Sequence, residues 1–245
     1  NTVWSSAFNN QQTYFALFLL TPNTNYEWQV QTVCASSLSV FSSSVIFTTL
    51  INPSGDSLIT SGMPWKYLDK GFDMAGWTLL SFNDSQWDTG PSELGYGDGD
   101  EATVLSYGPD PNLKYITTYF RKVFNVNNPA NYSSMMLDVV RDDGVIVYVN
   151  GTEVYRNNMP VGPATYNTFA LNAISAPDES AWYSSVFSPS LLVSGNNIIT
   201  AEIHQVNQTS TDISFNLRLT GSGAATQVTR GPYLQIMTQN SVIAC

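Results

Sequence analysis

This sequence predicts an all-β chain built from β-sandwiches, and three observations carry that reading. Only 11% of the 245 residues are charged, against roughly a quarter in ordinary domains. Solubility rests instead on Ser, Thr, Asn and Gln, which leaves helices short of their best formers. Second, apolar and polar residues alternate with a period of two in segment after segment, and none sustains a 3.6-residue apolar repeat. Third, clusters of Gly, Pro, Asn and Ser separate those segments. Strands and turns without helices assemble as packed sheets.

The elements follow in order. Thr13 to Leu20 is apolar and β-prone, and Thr21-Pro22-Asn23-Thr24-Asn25 makes a turn. From Tyr26 to Cys34, the residues Tyr26, Trp28, Val30 and Thr32 share one face, with Glu27, Gln29 and Gln31 on the other. A further strand runs from Ser44 to Leu50. Residues 51–56, around Pro53-Ser54-Gly55, read as a linker. The strands resume at Ser57, giving a domain over 57–221. Within it, Phe120, Lys122, Phe124 and Val126 line one side of a strand from Tyr119 to Val126. Val145 to Val149 is wholly apolar and ends in Asn150-Gly151, a hairpin signal. Ile198, Thr200, Glu202 and His204 oppose Ile199, Ala201 and Ile203, while Ile213, Phe215, Leu217 and Leu219 oppose Ser214, Asn216 and Arg218. Gly221-Ser222-Gly223-Ala224-Ala225 opens a second linker, extending over 222–229. The tail, 230–245, closes with a short strand from Ser241 to Cys245.

Composition excludes several function classes. Nine Lys and Arg against nineteen Asp and Glu leave a net charge of −10. Phosphates must be met by basic side chains, so nucleic acid and anionic membranes are disfavoured partners. No apolar run reaches the roughly 18 residues of a transmembrane helix. With 43% hydrophobic residues the chain can bury a core. The Ser- and Thr-rich composition suits an extracellular or bacterial cell-surface address. No leader-like stretch is visible, and a first residue of Asn is expected of a processing product or a fragment edge.

Catalysis has little to stand on, and no enzyme is expected. His204 is the single histidine. A di-metal phosphoesterase centre needs several His and Asp ligands, and a Ser-His-Asp triad would have to use His204. Its place on an alternating strand reads as structural. No motif singles out a carboxylate pair for glycoside hydrolysis.

Three segments resemble known families. Leu20 to Cys34, with Phe41 to Thr49, resembles the F and G strands of a fibronectin type III domain of the kind found in secreted Bacteroidetes-type proteins. Tyr26 would be its tyrosine-corner residue. Residues 57–221 resemble a galactose-binding-like jelly roll of bacterial surface proteins. The matching stretches are Trp65 to Gly71, Phe82 to Trp87, Leu94 to Glu101, Tyr119 to Lys122, Arg141 to Gly144, Val149 to Gly151 and Glu202 to Gln205. Arg230-Gly231-Pro232-Tyr233-Leu234-Gln235, followed by Ser241 to Cys245, is similar to strands A and B of the fibronectin-like accessory domain that opens many calcineurin-like metallophosphoesterases.

The resemblances imply that residues 1–50 hold strands C to G, with Asn1 to Phe8 as strand C, and that 230–245 supply strands A and B. The tail of one subunit could then complete the head of the next by strand addition, a heterologous contact that builds filaments. The alternative is a piece of a longer multidomain protein. The same resemblance places Cys34 and Cys245 on strands F and B, and so implies a Cys34–Cys245 bridge between successive subunits. Two buried free thiols are the other reading.

Two acidic motifs are candidate calcium sites. Asp98, Asp100 and Glu101 crowd a Gly-containing loop, and hard oxygen ligands on a loop suit Ca²⁺. Galactose-binding-like domains often carry a structural Ca²⁺, which the resemblance extends to this loop. Asp142 and Asp143 precede Gly144 in a turn that related jelly rolls use as a calcium site or simply as a tight turn. Carbohydrate would be met by aromatic platforms with nearby polar groups. Trp182 and Tyr183, in a polar stretch, are the expected exposed pair, and Tyr96 is a further candidate.

The leading expectation is therefore a non-catalytic extracellular subunit, adhesive or structural, that assembles with itself head to tail. A carbohydrate-binding module with Ca²⁺ support is the second. The third is an accessory region of a secreted metallophosphoesterase.

Overall fold

The computed structural model describes residues 25–29, 33–34, 37–48 and 55–223. The chain divides into two compact units, Ser54–Ala224 and Asn1–Pro53 together with Ala225–Cys245. The expected strands over 1–8, 13–20 and 230–245 lie outside the described residues. So do Cys245 and the motif that carries the phosphoesterase resemblance, and the Cys34–Cys245 bridge with them.

The described residues of the first unit hold four short strands, β1 (Asn25–Trp28), β2 (Val33–Cys34), β3 (Ser37–Leu38) and β4 (Val45–Thr48). β1 pairs antiparallel with β4, placing Tyr26 opposite Phe47, and their rings stack at 5.8 Å. β2 pairs with β3 instead. The single strand expected from Tyr26 to Cys34 is thus seen as two, because its halves take different partners.

The second unit is an all-β sandwich. Its strands are β5 (Asp56–Ile59), β6 (Pro64–Leu68), β7 (Asp88–Pro91), β8 (Leu94–Tyr96), β9 (Thr103–Val104), β10 (Thr117–Val126), β11 (Tyr132–Asp142), β12 (Gly144–Val149), β13 (Thr152–Asn157), β14 (Tyr183–Phe187), β15 (Gly195–His204) and β16 (Ile213–Gly223). One sheet runs β13-β12-β15-β10-β6-β7, and the other β14-β11-β16-β8-β9 with β5 also on β16. Helical structure among the described residues is limited to three 3₁₀ turns, at Pro129–Asn131, Asp178–Ser180 and Pro189–Leu191. No described helix is long and apolar enough to cross a membrane.

The alternation read from sequence decides what is inside. Phe120 and Phe124 of β10, Ile199, Ala201 and Ile203 of β15, and Phe215, Leu217 and Leu219 of β16 all enter one buried core. Phe120 stacks on Phe215 at 4.1 Å, and Trp65 meets Phe215 edge-on at 5.0 Å, so three rings bind the two sheets together. Such pairs add about 0.5–1.5 kcal/mol each beyond their buried area.

Motif blocks distant in sequence meet on the outer face of the first sheet. Arg121, only 1% exposed, donates from Nε to Asp84 Oδ2 at 2.9 Å and from Nη1 to the carbonyls of Trp77 and Leu79. Its guanidinium also lies over the Phe82 ring at 4.9 Å. Lys66 donates to the Asp84 carbonyl at 3.0 Å. One buried cation therefore pins the whole 77–87 loop to the sheet. A buried guanidinium is tolerable only with such a full set of acceptors.

Two local readings resolve differently. Asn150 and Gly151 adopt φ of 50° and 85° and close the β12–β13 hairpin, as their types favour. Gly221, expected to begin a linker, lies inside β16, opposite Met135 and Asp56. A methyl group there would sit 2.5 Å from the Tyr132 ring. This glycine is a notch for an aromatic ring, and Tyr132 uses the position to donate its hydroxyl to Asp56 at 3.0 Å.

Candidate cation centre and aromatic surface

The two acidic motifs, some forty residues apart in sequence, converge at one end of the second sheet. Asp142 ends β11 opposite Ser214 of β16, and Ser214 donates its hydroxyl to Asp98 Oδ2 at 3.2 Å. The loop after β8 packs on Asp212, since a methyl group on Gly97 would lie 2.6 Å from Asp212 Cβ. Glu101 shapes that loop by accepting from the backbone N–H of Asp98 and of Gly99, each at 3.0 Å. Carboxylate oxygens of Asp98, Asp100 and Glu101 then lie within 4.8 Å of one another.

A cavity of about 200 Å³ opens here, lined by Glu93, Asp98, Asp100, Glu179, Ser180 and Ser214. Burial lifts the Glu93 carboxyl above its usual range, and Asp100, Asp98 and Glu101 push the same way against Ser214. Asp98 is raised by burial and then by Asp212, Asp100 and Glu101, again against Ser214. Glu179 is raised by burial, then Asp212, Asp98 and Asp143. Like charges gathered without a counter-ion disfavour ionisation in this way.

The Asp142–Asp143 pair divides its roles. Asp143 accepts from the N–H of Ile174 at 2.8 Å and of Val206 at 2.7 Å, so it holds two loops. Asp142 is 1% exposed, and neither of its oxygens has a hydrogen-bond donor. Burial, then Asp143 and Asp212, push its carboxyl up to about 9. Gln205 adds a second orphan: Nε2 donates to Tyr96 at 2.7 Å and to the Asp212 carbonyl at 3.0 Å, while Oε1 is buried with no donor. Buried acceptors beside further carboxylates need a proton or a cation between them. Oxygen-only donors of this kind suit Ca²⁺, which takes six to eight oxygens in flexible geometry. The residues present therefore fit a calcium ion. Asp98, Asp100 and Glu101, whose oxygens lie close enough to share one ion, would hold it, while Asp142 with Asp143 and Asp212 forms a separate buried carboxylate cluster.

Glu93, Glu179 and Asp212 escape a reading of the sequence alone. None of them stands in an acidic cluster of the sequence that marks a site, and only the fold brings them together.

The aromatic candidates fare unequally. Tyr96 is 8% exposed, with its hydroxyl taken by Gln205 and its ring edge-on to Tyr107 at 5.3 Å. It presents no face to a sugar, because β8 turns it toward the core opposite Ile213. Tyr183 is half-buried, with the Arg141 guanidinium over its ring at 4.4 Å. Trp182 is 36% exposed. One of its faces is covered by Arg218 at 3.7 Å, and Arg218 in turn reaches Asp138 at 3.7 Å. Ser214 and Arg218 alternate with the core residues of β16, so the acidic cavity and Trp182 share the outer face of one sheet.

His204 is buried, and its Nδ1 lies 2.7 Å from the Thr168 carbonyl and 2.9 Å from Thr117 Oγ1. Thr117 donates to the Tyr166 carbonyl at 2.7 Å. That hydroxyl is spent on structure and is not poised as a nucleophile.

No protein-family model matches this sequence, and no curated protein matches it. Among solved structures, it is similar to a Bacteroides uniformis β-glucuronidase, with 13% identity and a TM-score of 0.44 over 66% of this chain and 17% of that chain. A glycosyl hydrolase family 2 member from Bacteroides cellulosilyticus matches with 13% identity and a TM-score of 0.44, over 67% and 20% of the two chains. A β-glucuronidase from Ruminococcus gnavus matches with 11% identity and a TM-score of 0.43, over 71% and 30%. The chain thus spans between 17% and 30% of the length of these proteins.

Proposed function

We propose that this chain is a non-catalytic β-sandwich part of a larger secreted or cell-surface protein, and that residues 54–224 bind carbohydrate with the support of a calcium ion. The observation that carries this reading is the placement of an acidic cavity and an exposed indole on one sheet face, with Glu179 and Ser180 of the cavity immediately before Ala181-Trp182. Sugars present apolar C–H faces rimmed by hydroxyls, so an indole beside oxygen donors matches both parts. Calcium held by Asp98, Asp100 and Glu101 would neutralise these carboxylates and could take hydroxyl oxygens as further ligands. The burial of His204, the single histidine, supports a role without a histidine base.

The test is glycan retention by the full chain, with calcium and with a chelator. The expected result is binding that needs calcium and is lost in Trp182→Ala. An array with no retained glycan in calcium overturns the reading.

A second reading, head-to-tail self-association through a fibronectin-like first unit, is favoured by one observation. Val40, Phe41, Val45 and Ile46 are exposed on or beside the two-stranded β1–β4 sheet. Among the described residues this sheet has two strands, and a ribbon of two strands gains from cover in water. Light scattering of native material at rising concentration tests this reading. A monomer at every concentration sinks it.

A further inference from the structure

A second concavity lies on the other sheet. It is an open cleft of about 630 Å³ lined by Tyr148, Glu153, Arg156, Val161, Gly162, Pro163 and Ala164. That volume falls within the several-hundred-Å³ range of small-ligand sites. Its polar wall depends on a register shift. In the β12–β13 pair Val147 opposes Tyr155, but Tyr148 opposes Glu153, so β13 carries one extra residue. On a regular strand, residues three apart face opposite sides. The bulge turns Glu153 and Arg156 to the same side, as bulges beside binding sites do.

The two side chains then lock as a fork. Arg156 Nε and Nη2 donate to the two Glu153 oxygens, each at 2.8 Å, and Nη1 donates to the Pro160 carbonyl at 2.7 Å. Three of the five guanidinium N–H groups are used in this way, leaving spare donors next to spare carboxylate lone pairs. Tyr148 is fixed as well, donating to Glu202 at 2.7 Å and meeting Trp77 edge-on at 5.8 Å. The facing wall is apolar, and Val161 at its tip is 96% exposed.

We propose that this cleft is a second carbohydrate subsite, independent of calcium, that takes an uncharged sugar through two adjacent hydroxyls. Each hydroxyl both donates and accepts, which matches a fork offering N–H and carboxylate oxygen side by side. The C–H face of the ring lies against Val161 and Pro163. An anionic sugar is disfavoured, because Glu153 already neutralises Arg156 and the chain carries a net charge of −10. The inference rests on the carbohydrate reading above but uses different residues and no metal.

The experiment is calorimetry of the full chain, in EDTA, with neutral gluco-, galacto- and manno-oligosaccharides and with an oligogalacturonate. At least one neutral ligand is expected to bind, and Glu153→Gln weakens it at least tenfold while circular dichroism and melting temperature hold. Val193→Thr, on an exposed position elsewhere, leaves binding unchanged. Arg156→Lys, which keeps the charge but loses the fork, also weakens binding, separating fork geometry from charge. Binding that appears only with calcium overturns the cleft and leaves the first reading standing. Binding in EDTA that ignores Glu153→Gln, or that selects the uronate, overturns the assignment. No binding with or without calcium overturns both readings.

Discussion

Replacing Asp142 by Asn should stabilise the metal-free protein and leave its response to calcium in place. The carboxylate is 1% exposed, lacks any donor and faces Asp143 and Asp212. Burial and these neighbours raise it from 3.8 to about 9, so at pH 7 folding without metal must take up a proton here. From 3.8 to pH 7 that linkage costs about 4 kcal/mol, at about 1.4 kcal/mol per pH unit. The neighbouring carboxylates and local relaxation share part of this cost, so roughly half of it, about 2 kcal/mol, falls to the substitution. Asn keeps the shape, carries no charge and donates to the neighbouring carboxylates. The melting temperature in EDTA should rise by about 4–8 °C.

The pH dependence has a definite sign. The folded-state pKa lies above the unfolded one, so the stability linked to this group is fully present below about pH 4. It is lost as pH climbs toward about 9. The metal-free wild type should therefore soften over that window, and Asp142→Asn should soften less. Calcium at a hundred times its dissociation constant adds about 2.7 kcal/mol to a protein that binds it only when folded. Wild type and variant should both show that gain, since Asp142 lies outside the Asp98, Asp100 and Glu101 set. Thermal unfolding followed by circular dichroism, in EDTA and in calcium at pH 5 and pH 8, reads all of these. A variant less stable than wild type in EDTA, or one that loses the calcium shift, refutes the reasoning.

Further outcomes follow from other contacts. Arg121→Met strands Asp84 and two loop carbonyls and should cost about 3–5 kcal/mol, read as a lower urea midpoint; a loss below about 1 kcal/mol means that the 77–87 loop is held by something else. Gly221→Ala drives a methyl group into the Tyr132 ring and should cost more than about 2 kcal/mol, whereas a linker glycine would tolerate it. Tyr96→Phe leaves Gln205 Nε2 without one of its acceptors and should destabilise by about 1–3 kcal/mol, while a sugar platform at that position would instead show lost binding at unchanged stability. Trp182→Ala should leave the melting temperature within about 2 °C, being a surface change, yet remove calcium-dependent glycan retention.

Much of the sandwich is legible in the chain itself. Period-two alternation assigns the inward faces of β10, β15 and β16, because a pleated strand sends successive side chains to opposite sides. Asn150-Gly151 announces its hairpin, since both residues tolerate positive φ. The acidic motifs around Asp98 and Asp142 are visible as local concentrations of charge. Their placement at one end of the sheet is not, because it depends on which strands are neighbours: Asp142 lies opposite Ser214 of β16, and Ser214 donates to Asp98. Tyr96 looks like any other aromatic in a polar loop until β8 is seen to face it inward. Gly221 looks like a linker until Tyr132 is found against it.

What the sequence alone determined is which face of each strand is apolar, where turns fall and which segments are rich in carboxylates. These are properties of a few consecutive residues and need no partner. What only the tertiary structure decided is which distant groups touch: the Arg121 staple, the orphaned Asp142 and Gln205, and the Glu153–Arg156 fork created by one extra residue in β13. Register and bulges are set by pairing between strands far apart in the chain, and a shift of one residue exchanges one face for the other.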